Sequence, residues 1–83
     1  MDQSFISSIL LFAGTFAPVN WMFCDGSILP IAQNTALFSL LGTTYGGDGQ
    51  TTFALPKLTN QQSADGGDVR YIICVNGIYP QRP

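Results

Sequence analysis

The chain contains no histidine and no glutamate, and it has only three cations and two cysteines in 83 residues. Each shortage closes a class of function. Without histidine, the commonest general base and metal ligand at neutral pH is missing. The cations Lys57, Arg70 and Arg82 are scattered, so no basic stripe exists to neutralise nucleic-acid phosphates. All five acids are aspartates, and Asp25, Asp48, Asp65 and Asp68 adjoin glycines, a composition that suits turns. The apolar segment Phe5 to Ala13 is too short to cross a bilayer, and it follows Asp2 without a basic region. Neither a transmembrane segment nor a signal peptide is expected. Cys24 and Cys74 could pair, but two buried thiols in an apolar core are the simpler expectation.

Apolar residues are what the chain has in excess. Hydrophobic residues make up 46% and charged residues 10%, whereas an ordinary globular domain carries roughly a quarter charged residues. One small domain over residues 1–83 has too little interior for that much apolar material. Part of it should therefore lie at an interface with other chains.

Phe5 to Phe12 reads as a strand closed by Gly14. Phe5, Ile9 and Leu11 would point one way, and Ile6, Ser8, Leu10 and Phe12 the other. Pro18 and Asn20 mark a turn before a short strand from Trp21 to Cys24. Asp25-Gly26 signals a hairpin, with Ser27 to Ile31 as the returning strand. A helix is expected from about Ala32 to Leu41, with Ala36, Leu37, Leu40 and Leu41 on one side and Phe38 widening the stripe. Gly42 sits where a left-handed residue ends a helix.

Gly46, Gly47 and Gly49 around Asp48 lack the lysine of a phosphate loop and follow a helix where a phosphate cradle precedes one. One aspartate is also too little for calcium, so this loop reads as a tight crossing. Thr51 to Leu55 is extended and stopped by Pro56. Residues 57–69 read as a polar exposed loop, Arg70 to Val75 as a strand, and 79–83 as an irregular tail. Trp21 is expected as a core or interface anchor rather than a sugar platform.

Several of these pieces resemble one family in order and spacing. They are Phe12-Ala13-Gly14, Ala17-Pro18, Trp21, Cys24-Asp25-Gly26, Leu29, Thr35-Ala36-Leu37-Phe38, the run Leu41 to Gly49 (LGTTYGGDG), Thr52-Phe53 and Leu55-Pro56. Together they resemble the phage tail collar domain and its bacterial relatives called microcystin-dependent proteins. The ending Tyr71-Ile72-Ile73 with Gly77-Ile78-Tyr79-Pro80 resembles the closing segment of those relatives. The scaffold positions so marked include Trp21, Cys24, Asp25, Gly26, Phe38, Gly42, Tyr45, Gly46, Gly47, Asp48, Gly49, Phe53 and Pro56.

The resemblance implies a small α+β domain of short strands and a hairpin packed with one short helix, as found in trimeric tail fibres and similar extracellular fibres. It implies a structural or adhesive role without known catalysis, cofactor or metal. Where relatives continue Asp-Leu-Arg-Gly-Arg, this chain has Lys57-Leu58-Thr59-Asn60-Gln61, and their long insertion is reduced to a short polar segment. Relatives also show a charged pair near the positions of Ser8 and Leu10. Here Leu10 forms an apolar strip with Ile6 and Phe12, beside the small hydroxyl of Ser8, and these four are the expected contact with another subunit.

The leading expectation is a non-enzymatic subunit of a virion tail or cell-surface fibre, self-associating as a trimer. The alternative is a receptor- or glycan-binding module using exposed aromatics such as Tyr45, Tyr79 or Trp21.

Overall fold

A computed structural model of the chain describes residues 4–58, 61–62 and 68–80. Its organising element is the last strand, β6 (Asp68–Cys74). Tyr71, Ile73 and Val75 alternate with Ile72 and Cys74, and the two sets fall into different apolar clusters. A strand apolar on both faces must be covered on both. β6 accordingly lies between β1 (Ile9–Phe12) and β2 (Trp21–Phe23), antiparallel to each. Ile9 faces Ile73 and Phe12 faces Arg70 on one side, while Trp21 faces Cys74 on the other. A second, two-stranded sheet joins β3 (Ile28–Pro30) to β4 (Thr52–Ala54). With one short helix, α1 (Thr35–Leu41), this is an α+β fold.

The hairpin expected at Asp25-Gly26 does not form, because β2 and β3 belong to different sheets. Cys24 still donates its N–H to the Tyr71 carbonyl at 2.9 Å, on the β6 side. Its own carbonyl already accepts from Leu58 N, and Asp25 bridges Lys57. Beyond Gly26, whose φ is +82°, the Ser27 carbonyl accepts from Leu55 N and the β3–β4 ladder continues. Asp25-Gly26 is therefore a corner at which one extended segment passes between sheets. The turn expected at Asp25-Gly26 is present, and its partners are Lys57 and Leu58 in place of a returning strand. A one-residue kink with positive φ serves a corner as well as a hairpin.

The expected strand from Phe5 is likewise shortened. Ser7 adopts φ +74° and Ser8 N bonds the Phe5 carbonyl at 3.1 Å, closing a β-turn with its third residue left-handed. Ser7 N then bonds the Cys74 carbonyl and Cys74 N the Ser8 carbonyl. Two residues thus face one, which is a β-bulge with the left-handed residue first. The bulge breaks the alternation, so Ile6 turns into the core (4% exposed) and leaves the strip it was expected to share with Leu10. Phe5 and Ile6 instead pair in parallel with Ile78.

The helix begins later than expected. Ile31–Gln33 form a single 3₁₀ turn, and Asn34 separates it from α1. The Asn34 side chain donates to the Pro30 carbonyl at 3.0 Å, a local bond that competes with continuing the helix. Gly42 closes α1 at φ +59°, its N–H on the Phe38 carbonyl. Leu37 is fully buried and Phe38 and Leu41 pack on the core, while Leu40 points outward.

Of the two segments expected to be irregular, one is partly ordered by pairing. Gln61–Gln62 form β5 against the start of β6, so the polar segment 57–69 carries a strand. Its residues 59–60 and 63–67, with the Asp65 turn, lie outside the described residues, as do 81–83 of the tail. Tyr79 and Pro80 have no regular structure.

Candidate functional site

The side chains of the central sheet sort by face. On one face lie Met22, Cys24, Tyr71 and Ile73, covered by Leu37 and Phe38 of the helix and by Phe53 and Leu55. Phe38 and Phe53 pack ring to ring with centroids 5.4 Å apart. On the other face Trp21, Ile72 and Cys74 are buried beneath Phe12, Ala17 and Phe23. Their cover is thin, supplied by side chains of the sheet itself and by the 13–20 connection that carries Ala17. Trp21 is 4% exposed, so its ring is a core anchor with no face to offer a sugar.

Cys24 and Cys74 are free, buried thiols on opposite faces of the sheet. Three positions of register separate them, about 10 Å of strand, beyond the reach of a disulfide. Burial first, and the neighbouring Asp25 carboxylate second, push the Cys24 thiol up to about 11. It stays protonated and unreactive at neutral pH.

The glycine loop is held by its own aspartate. Asp48 Oδ1 accepts from Gln50 N, Thr51 N and Thr52 N at 2.8–2.9 Å, and Oδ2 accepts from the Thr51 hydroxyl. These backbone N–H groups, Thr51 first, hold its pKa far below the usual carboxylate range. The carboxylate is thus occupied by its own loop, as a tight crossing requires. Gly47 is where only glycine fits: φ is +93°, and a Cβ would stand 2.3 Å from Phe53 Cα. Gly46 accepts from Ala54 N, tying the loop to β4. Tyr45 is half exposed beside this loop.

Among the expected strip residues, Leu10 is 44% exposed and Ser8 and Phe12 are half-buried. Ile9 and Leu11, on the other face of β1, are also exposed. Among the described residues β1 is an edge strand, so three consecutive large aliphatics border an open row of backbone groups. Phe16 and Val19 in the neighbouring connection are 83% and 85% exposed. Sequence reasoning found Leu10 but missed these two, because apolar residues in a loop have no periodicity to betray them.

Two open grooves flank this scaffold. One, about 470 Å³, is bordered by the amides Asn20, Gln33, Asn34 and Asn76. The other, about 290 Å³, lies at the Asp25 corner beside Lys57, Leu58, Arg70 and Tyr71. Near the tail, the Ser39 hydroxyl donates to the Ala36 carbonyl at 2.7 Å. The Tyr79 hydroxyl must then be the donor in its 2.7 Å bond to Ser39 Oγ, since a serine hydroxyl has one proton. This bond pins the tail to α1. Among the described residues, no group of three or more Cys, Asp or Glu side chains could hold a metal ion. No helix among them is long and apolar enough to cross a membrane.

The arrangement is that of a small scaffold whose glycine-loop carboxylate is spent on its own loop and whose apolar side chains reach its rim. Residues 7–62 match the family described as Phage Tail Collar Domain, and the chain belongs to that family. Its domain is a structural element of phage tail fibres. The match takes in the corner, the helix, the glycine loop and β4, and ends before β6. No curated protein and no solved structure matches the chain.

Proposed function

We propose that this chain is a non-enzymatic subunit of a phage tail fibre, built into the virion tail, that self-associates as a trimer through β1. The observation that carries the reading is the β1 edge, where Ile9, Leu10 and Leu11 are all exposed on a strand that has one unpaired side among the described residues. Soluble monomers blunt such edges with charge, proline or cover, and β1 has no charged residue or proline. Leu10 and Phe12 share one face of β1, and the 13–20 connection that follows carries the exposed apolar residues Phe16 and Val19. Exposed apolar residues gathered on one edge strand and the connection after it mark a protein contact.

Ser8, Leu10 and Phe12 remain the centre of the proposed interface. Ile9, Leu11, Phe16 and Val19 extend it, and Ile6 drops out because the Ser7 bulge buries it. Family membership supports the fibre setting, and the apolar rim supports assembly. Native mass spectrometry of the purified chain across a concentration series tests the oligomer. A trimer is expected; a monomer throughout would overturn self-association.

A further inference from the structure

We infer that the groove at the Asp25 corner is a binding site for a sugar acid, a saccharide unit carrying one negative charge. This does not rest on the assembly reading. The chain has a net charge of −2 and three cations, yet two of the three, Lys57 and Arg70, border this one groove. They come from different parts of the sequence. The corner brings Lys57 opposite Asp25, and β6 brings Arg70 alongside. Both side chains are exposed, so each can reach a ligand in the groove.

The rest of the lining selects more than an anion. Arg70 lies 4.9 Å over the Phe23 ring, a contact that fixes the guanidinium plane and leaves its edge to meet a carboxylate as a fork. Phe23, on the same face as the guanidinium, and Leu58 border the groove and supply apolar surface for a sugar ring. Asp25 stands at the same rim with Oδ1 taken by the N–H and hydroxyl of Ser27, so Oδ2 can accept from sugar hydroxyls. A bare anion would be repelled by that carboxylate, whereas a polyhydroxylated one would use it. A volume near 290 Å³ lies at the small end of ligand pockets and admits one ring. The absence of any further basic stripe argues against a polyanionic nucleic acid.

The test is an NMR titration of the ¹⁵N-labelled full chain with D-glucuronate, N-acetylneuraminate, glucose and acetate, repeated on Lys57→Gln and Asp25→Asn. The proposal expects one or both sugar acids to shift the amides of residues 23–25, 57–58 and 70–71 saturably. Glucose and acetate should each bind at least roughly ten-fold more weakly, the loss of about one charge-assisted contact or of the hydroxyl contacts. Lys57→Gln should weaken the sugar acid by a similar factor, and Asp25→Asn should bring acetate closer to it. Preference for one sugar acid over the other identifies the source. Acetate equal to both sugar acids, shifts elsewhere on the protein, no saturation, or indifference to Lys57→Gln would overturn the assignment. Arg70→Gln, checked for folding by its amide spectrum, provides a second reading of the same charge.

Discussion

The two faces of the central sheet are made from the same strands and end differently. The face bearing Tyr71 and Ile73 is closed within the chain, by the helix, β4 and the glycine loop behind it. The face bearing Ile72 and Cys74 is closed by little more than Trp21, Phe12, Phe23 and Ala17, and its rim stays apolar. β1 sits where the two meet and exposes side chains from both. On the proposed reading, one face serves the fold of the monomer, and the other with its edge is left for a neighbour. Substitutions should separate these roles, with stability responding on the first and assembly on the second.

The largest loss of stability should come from Phe53→Ala. Phe53 is fully buried against Phe38, and truncating a buried phenylalanine costs about 3–5 kcal/mol. Urea unfolding should show the midpoint falling sharply, enough to threaten folding in a domain of this size. Next is Gly47→Ala, which places a Cβ against the β4 backbone at positive φ. The strain and clash together should cost upwards of about 2 kcal/mol. A midpoint unchanged by either substitution would mean the closed face is not where stability resides.

Asp48→Ala should have a smaller effect that depends on pH. The folded pKa of Asp48 is depressed by its backbone donors, so the ionised form stabilises the fold. That stability is complete at neutral pH and starts to disappear as the pH falls to the ordinary aspartate value near 3.8. It is lost progressively below that. Thermal melts of wild type and Asp48→Ala should differ at pH 7 and converge in acid; parallel melts would remove the loop anchor from the account. The smallest change is Ser7→Gly, at the left-handed position of the bulge. It relieves non-glycine strain against a more flexible unfolded chain, for a net gain below about 1 kcal/mol. A clear loss would mean that the serine side chain is itself needed at the bulge.

Much of this was legible in the sequence because local chemistry was enough. Gly42 and Gly47 stand where only a residue tolerant of positive φ serves, and the strand Arg70 to Val75 was marked by its β-branched run. The family motifs named the fold as a whole. What stayed hidden was long-range pairing. Asp25-Gly26 makes the same local bend in a corner as in a hairpin, and only the partners Tyr71 and Leu58 distinguish them. Ser7 has no glycine to announce its bulge, so Ile6 was placed on the wrong face. The convergence of Lys57 and Arg70 depends on that same corner, and spacing along the chain gives no hint of it.

The measurement that bears most directly on the account is sedimentation velocity of wild type beside Leu10→Arg, each checked by circular dichroism and urea unfolding. Leu10 is exposed in the single chain, so its replacement should change monomer stability by no more than about 0.5 kcal/mol. A charge buried at an apolar contact is strongly unfavourable. The account predicts a wild-type trimer and a folded Leu10→Arg monomer with an unchanged spectrum. A trimer that survives the arginine, or a variant that unfolds, would contradict the division of labour between the two faces.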